Sequence, residues 1–137
     1  MKKRIVSCVL LILLAIGASL LLLSCSNKGE KVSAIPKGVG QITSNSQESG
    51  GVTFTNYLVR ITNDVDWDTL KKEEKDKIVQ YVFGEVYKRN QENGIRYFNI
   101  NGVNEAGVSV FQYDREHEEM IIKKNGQQDY RIPAPAK

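Results

Sequence analysis

The single histidine, His117, sits in Asp114-Arg115-Glu116-His117-Glu118-Glu119, six consecutive titratable side chains in this 137-residue sequence. An imidazole flanked by carboxylates is a candidate for proton transfer or pH sensing. Catalysis asks for more, namely a positioned partner and a cleft. An exposed turn histidine in a charge-rich connection between two strands explains the same residues with less, and that is the expectation. One imidazole without a neighbouring thiol does not make a zinc site. Asp64-x-Asp66-x-Asp68 has the spacing that opens a calcium loop, but position six is Thr69 rather than glycine and position twelve is Lys75 rather than glutamate. Helix capping is the expected role of these aspartates, and no metal is expected.

Paired carboxylates could run glycoside hydrolysis across a cleft, and Asp114, Glu116, Glu118 and Glu119 are the most clustered candidates, with His117 among them. The sequence holds no glycine-serine elbow, no Ser/His/Asp set and no phosphate loop. No catalytic residue is therefore assigned. Tyr57, Tyr81, Tyr97, Tyr113 and Tyr130 fall in expected regular structure with Phe54, Phe83, Phe98 and Phe111. On one open sheet face they would form a contact platform for a protein or glycan. A small domain needs such rings in its core, their hydroxyls at its edge, and core lining is the expectation for most of them.

Of the two cysteines, Cys8 lies inside an uncharged run over residues 5–23, and Cys25 follows Leu22-Leu23-Ser24 just beyond it. Lys2, Lys3 and Arg4 precede the run. This basic start, apolar stretch and small residue before a cysteine resemble the export signal of bacterial membrane lipoproteins. The resemblance covers the first 25 residues and implies cleavage between Ser24 and Cys25, with a diacylglyceryl group on the thiol and an N-acyl chain on the new terminus. It implies no other cofactor. A run of ~18 or more apolar residues is also long enough to span a bilayer, so the same segment reads alternatively as an uncleaved transmembrane anchor. Both readings leave the remainder outside the cytoplasm, because the cationic terminus stays inside. The expected location is the cell membrane or, with Ser26 rather than aspartate after the cysteine, the outer membrane of a two-membrane cell. One fatty chain holds a protein only reversibly, at ~0.8 kcal/mol per buried methylene, whereas two or three hold it durably.

Cleavage also changes the electrostatics. The formal net charge of +3 resides in Lys2, Lys3 and Arg4, and the chain from Cys25 onward balances sixteen bases against sixteen acids. Nucleic-acid binding needs a basic footprint that displaces counterions from phosphates, and no nucleic-acid partner is expected. With Cys8 removed and Cys25 acylated, thiol chemistry and disulfides are excluded from the mature domain.

Three segments follow: residues 1–24 as the signal, 25–51 as the lipidated cysteine and a flexible tether, and 52–137 as a small globular domain. Residues 26–51 contain five glycines and five serines with scattered apolar residues, too little to repay ordering. As a coil they would span on the order of 28 Å.

The positioning elements are legible downstream. Val52–Ile61 is rich in β-branched and aromatic residues and reads as a strand. Ile78, Val82 and Val86 form one row at helical spacing, and Val79, Phe83 and Tyr87 the adjacent row. Asn93-Gly94 supplies a left-handed stop. Gly84 breaks the helix pattern, either admitting a partner's backbone or simply weakening the helix, and the latter is expected. Residues 95–100, 108–113, 119–124 and 127–132 read as strands, with Asn125-Gly126 as a tight hairpin turn. The expected fold class is α+β: an antiparallel sheet of about five strands in the order β-α-β-β-β-β, with one long amphipathic helix packed on one face. The expected function is a membrane-anchored exported lipoprotein whose small domain binds another envelope protein. The alternatives are a small hydrolase acting on glycan or cell-wall material and a structural assembly subunit.

Overall fold

The computed structural model describes residues 34–135. The apolar run, Ser24 and Cys25 lie outside those residues, as does the first part of the expected tether. A compact unit begins at Ile35. Its first strand, β1 (Val39–Ser49), pairs antiparallel with β2 (Val52–Ile61) across the Gly50-Gly51 turn. The tether expected to reach Gly51 is thus corrected: most of its second half is an edge strand. Backbone pairing rather than burial holds it there, since β1 buries no residue fully and half-buries Val39, Gly40 and Ile42. β2 alternates cleanly, burying Thr55, Tyr57, Val59 and Ile61 while Phe54, Asn56, Leu58 and Arg60 stay exposed.

The chain leaves β2 through a loop whose short 3-10 turn, Trp67–Thr69, drives Trp67 into the core. Asp66 caps that turn by accepting from the Asp68 amide. The Trp67 indole donates to the Lys123 carbonyl at 2.9 Å and meets the Phe111 ring at 5.5 Å. Helix α1 (Lys72–Asn93) follows, with the Glu74 carboxylate accepting from the Lys71 amide at its start. Both expected apolar rows face inward, with Ile78, Val79, Val82, Phe83 and Val86 buried. Gly94, at φ 66°, ends the helix in the left-handed region that glycine tolerates.

Because α1 runs back along the sheet before β3 (Tyr97–Val103) begins, β3 lies parallel to β2. β4 (Ser109–Asp114), β5 (Glu119–Lys124) and β6 (Gln127–Pro133) then meander antiparallel. The α+β class holds, but the sheet is corrected to six strands, mixed rather than antiparallel, in the chain order β-β-α-β-β-β-β and the spatial order β1 to β6. Asn125 and Gly126 both take positive φ, 50° and 74°, as their hairpin demands.

The core lies between α1 and one face of the sheet. Phe111, Met120, Ile122, Ile100, Val59 and Ile61 fill it from the sheet side. Gly102 is buried beneath the Phe111 ring, which occupies the space where a β-carbon would stand. Among the described residues, no element covers the opposite face of the sheet.

Candidate functional site

The uncovered face carries three rows of side chains set by strand register. Residues directly opposite one another on neighbouring strands project to the same side. Gln47, Phe54 and Tyr97 form one row across β1, β2 and β3, and Asn45, Asn56 and Asn99 form the next. Thr43, Leu58 and Asn101 continue into Gln112 of β4 as the third. Successive rows are two residues apart along each strand, about 7 Å.

Within these rows the side chains are partly ordered by one another. Asn99 Nδ2 donates to Asn56 Oδ1 at 3.4 Å, a long bond that leaves most of both carboxamides' capacity unspent. Ser109 Oγ donates to Asn101 Oδ1 at 2.8 Å and accepts from Lys123 Nζ at 3.2 Å, which fixes the orientation of the Asn101 amide. Asn56, Asn99, Asn101, Ser109, Gln112 and Lys123 line a shallow groove of about 430 Å3. Beside it the Phe54 and Tyr97 rings lie 5.4 Å apart, each about 40% exposed. The Arg115 guanidinium sits over both, at 5.8 and 5.1 Å from their centroids.

The charge-rich turn adjoins this face, for Arg131 lies in the register row of Asn101 and Gln112. Asp114 organises it: Oδ1 accepts from the Glu116 and His117 amides, and Oδ2 meets His117 Nδ1 and Arg131 Nη1, both at 2.9 Å. Arg131 also donates to Glu119 at 3.0 Å. The Arg131 hydrogen bond, followed by the His117 contact, holds the Asp114 carboxyl down at about 2. His117 itself is an exposed turn residue, its side chain 59% accessible. The arrangement therefore brings Asp114, His117, Glu119 and Arg131 together, with Asp114 spending its oxygens on the turn and on Arg131. A carboxylate so engaged is a poor proton acceptor near neutrality.

Asp64, Asp66 and Asp68 are separated by role. Asp64 accepts from the Thr62 hydroxyl, Asp66 caps the 3-10 turn, and Asp68 accepts from the Asn125 amide at 2.9 Å. Among the described residues no three His, Cys, Asp or Glu side chains converge on one point. The tyrosines divide as well: Tyr57 and Tyr113 are buried, Tyr81, Tyr87 and Tyr130 pack partly buried against the core, and Tyr97 stands on the open face. The Tyr130 hydroxyl donates to Asp76 at 2.7 Å, and burial followed by that carboxylate pushes its pKa far up.

Sequence reasoning missed the asparagine row because its three members come from three separate strands, one of them in the presumed tether. The signal was present in Asn45, Asn56 and Asn99 only once register was known. Comparisons with protein-family models, with curated proteins and with solved structures return no match.

Proposed function

We propose that this chain is an exported, lipid-anchored protein whose folded unit acts by binding, with the uncovered sheet face as its contact surface. The observation that carries the reading is the pairing of an exposed aromatic pair, Phe54 and Tyr97, with an adjoining groove lined by carboxamides. Exposed rings beside unspent hydrogen-bonding groups are what a recognition surface needs: apolar area for affinity and fixed polar groups for orientation. The lipid on Cys25, expected from the resemblance to lipoproteins, would hold the unit at the outer surface of a membrane.

Photo-crosslinking in cells tests the reading. A photoreactive amino acid at Leu58 or Gln47, on the open face, is expected to give discrete adducts of the full-length chain. The same group at Gln80 or Lys88, exposed on α1, is expected to give none. Adducts absent from the open face, or equally abundant on the helix, refute it. Mass spectrometry of the N-terminal peptide checks the anchor, which an unmodified Cys25 thiol in an uncleaved chain would overturn.

A further inference from the structure

We infer that the open-face groove binds a neutral sugar chain bearing acetamido groups; this rests on the proposed binding role of that face. The first argument is charge. Of the side chains lining the groove only Lys123 is charged, and its ammonium donates to the neutral Ser109 hydroxyl. Of the cations bordering it, Arg115 rests on the two aromatic rings, and Arg131 is shared by Asp114 and Glu119. A polyanion, which needs several positive charges at once, would meet one inside the groove. A protein hot spot would want an apolar, desolvated centre, and here the centre of the face is amide.

The second argument is hydrogen-bonding capacity. A carboxamide offers two N–H donors and a two-lone-pair acceptor in one plane. A sugar hydroxyl is both donor and acceptor, and an acetamido group is itself an amide, so each finds its complement in Asn56, Asn99, Asn101 and Gln112. The Ser109 bond to Asn101 holds one of these amides ready oriented, which reduces the ordering a ligand must impose.

The third argument is spacing. The aromatic row, the asparagine row and the Asn101–Gln112 row follow one another at about 7 Å intervals along β2 and β3. A sugar ring has an apolar C–H face and a hydroxylated rim. An extended chain could set one ring's apolar face against Tyr97 and Phe54 while the next presents its rim to the amides. A single sugar would not reach across all three rows.

The test is calorimetric titration of the full-length chain in detergent micelles with N-acetylglucosamine oligomers, and with glucose oligomers as the unacetylated comparison. The expected result is binding of the acetylated oligomer in preference to the other. Asn99→Ala and Tyr97→Ala should each weaken it roughly two- to tenfold, while Tyr97→Phe should bind like the parent. Thermal melts of each variant, and Asn101→Ala as a second amide variant, separate lost binding from lost fold. Equal binding of both oligomers overturns the acetamido assignment. Undiminished binding by all three alanine variants overturns the location. If neither oligomer binds while open-face adducts with a polypeptide form in cells, the ligand class is wrong and the binding face survives. If no open-face adduct forms in cells, it is the underlying reading that fails.

Discussion

Gly102→Ala tests how tightly the helix-side face of the sheet is built. Gly102 lies in β3 directly opposite Phe111 of β4, and the Phe111 ring rests over it. A β-carbon at Gly102 would overlap the near edge of that ring, with even Cδ1 only 2.7 Å away. Phe111 has little room to retreat, being fully buried with Trp67 packed 5.5 Å from its centroid. Overpacking of this sort typically destabilises by about 1–3 kcal/mol, which lowers the melting temperature of a unit this size by about 5–20 °C. Thermal denaturation of the full chain in detergent, followed by far-ultraviolet circular dichroism, reads the shift. Gly84→Ala is the internal control. Gly84 sits on the exposed side of α1, and an added β-carbon meets nothing within 4 Å, so that variant should gain about 0.8–1 kcal/mol from helix propensity. If Gly102→Ala melts at or above the parent, the close packing of Phe111 on β3 is wrong. Recovery in Gly102→Ala/Phe111→Leu would tie the loss to that contact.

Two further outcomes follow from polar groups. The Tyr57 hydroxyl donates to Asn90 Oδ1 at 2.7 Å inside the core, and Asn90 Nδ2 is buried without a partner. Tyr57→Phe strands the rest of that amide and should destabilise by about 1–3 kcal/mol, whereas Tyr57→Phe/Asn90→Leu should recover part of the loss in a denaturant-melt double-mutant cycle. The Asp114 carboxyl is depressed from its ordinary 3.8 to about 2 by Arg131 and His117. A depressed acid stabilises above its unfolded pKa and ceases to as pH falls through the folded one. Urea midpoints should therefore fall between about pH 4 and pH 2, and Arg131→Gln should flatten that segment of the curve. An unchanged slope in Arg131→Gln would remove the ion pair as its cause.

What the sequence disclosed follows from which forces wrote it. Val52–Ile61 was legible because its alternation records burial on one side, and α1 because Ile78, Val82 and Val86 repeat at the helical period. Asn125-Gly126 was legible because its turn demands positive φ at both residues. β1 was hidden for the opposite reason. Gln41, Thr43, Ser44, Asn45, Ser46 and Gln47 bury little apolar surface, so its composition matches a tether's while its backbone pairs along β2. The parallel pairing of β2 with β3 was equally silent, because strand direction depends on where α1 delivers the chain. The His117 cluster was visible as a concentration of charge, yet its partner Arg131 comes from β6, and no local reading pairs them.

The two faces of the sheet show how far those forces diverge. On the helix side the central row is apolar, running from Ile42 through Val59, Gly102 and Phe111 to Ile122. On the other side Phe54, Tyr97 and Leu58 are exposed, but the asparagine row separates the ring pair from Leu58. Large contiguous apolar patches invite association, and here the carboxamides break one into two smaller ones. A face meant only to stay soluble would more economically carry Lys and Glu, the residues that ordinarily blunt exposed sheet. Uncharged amides keep the centre of the face wet without adding charge to it. Selectivity at such a surface must then come from hydrogen-bond geometry and ring stacking at contact. That is why substitutions at Asn99, Asn101 and Tyr97, rather than changes in salt concentration, are the perturbations to which binding should respond.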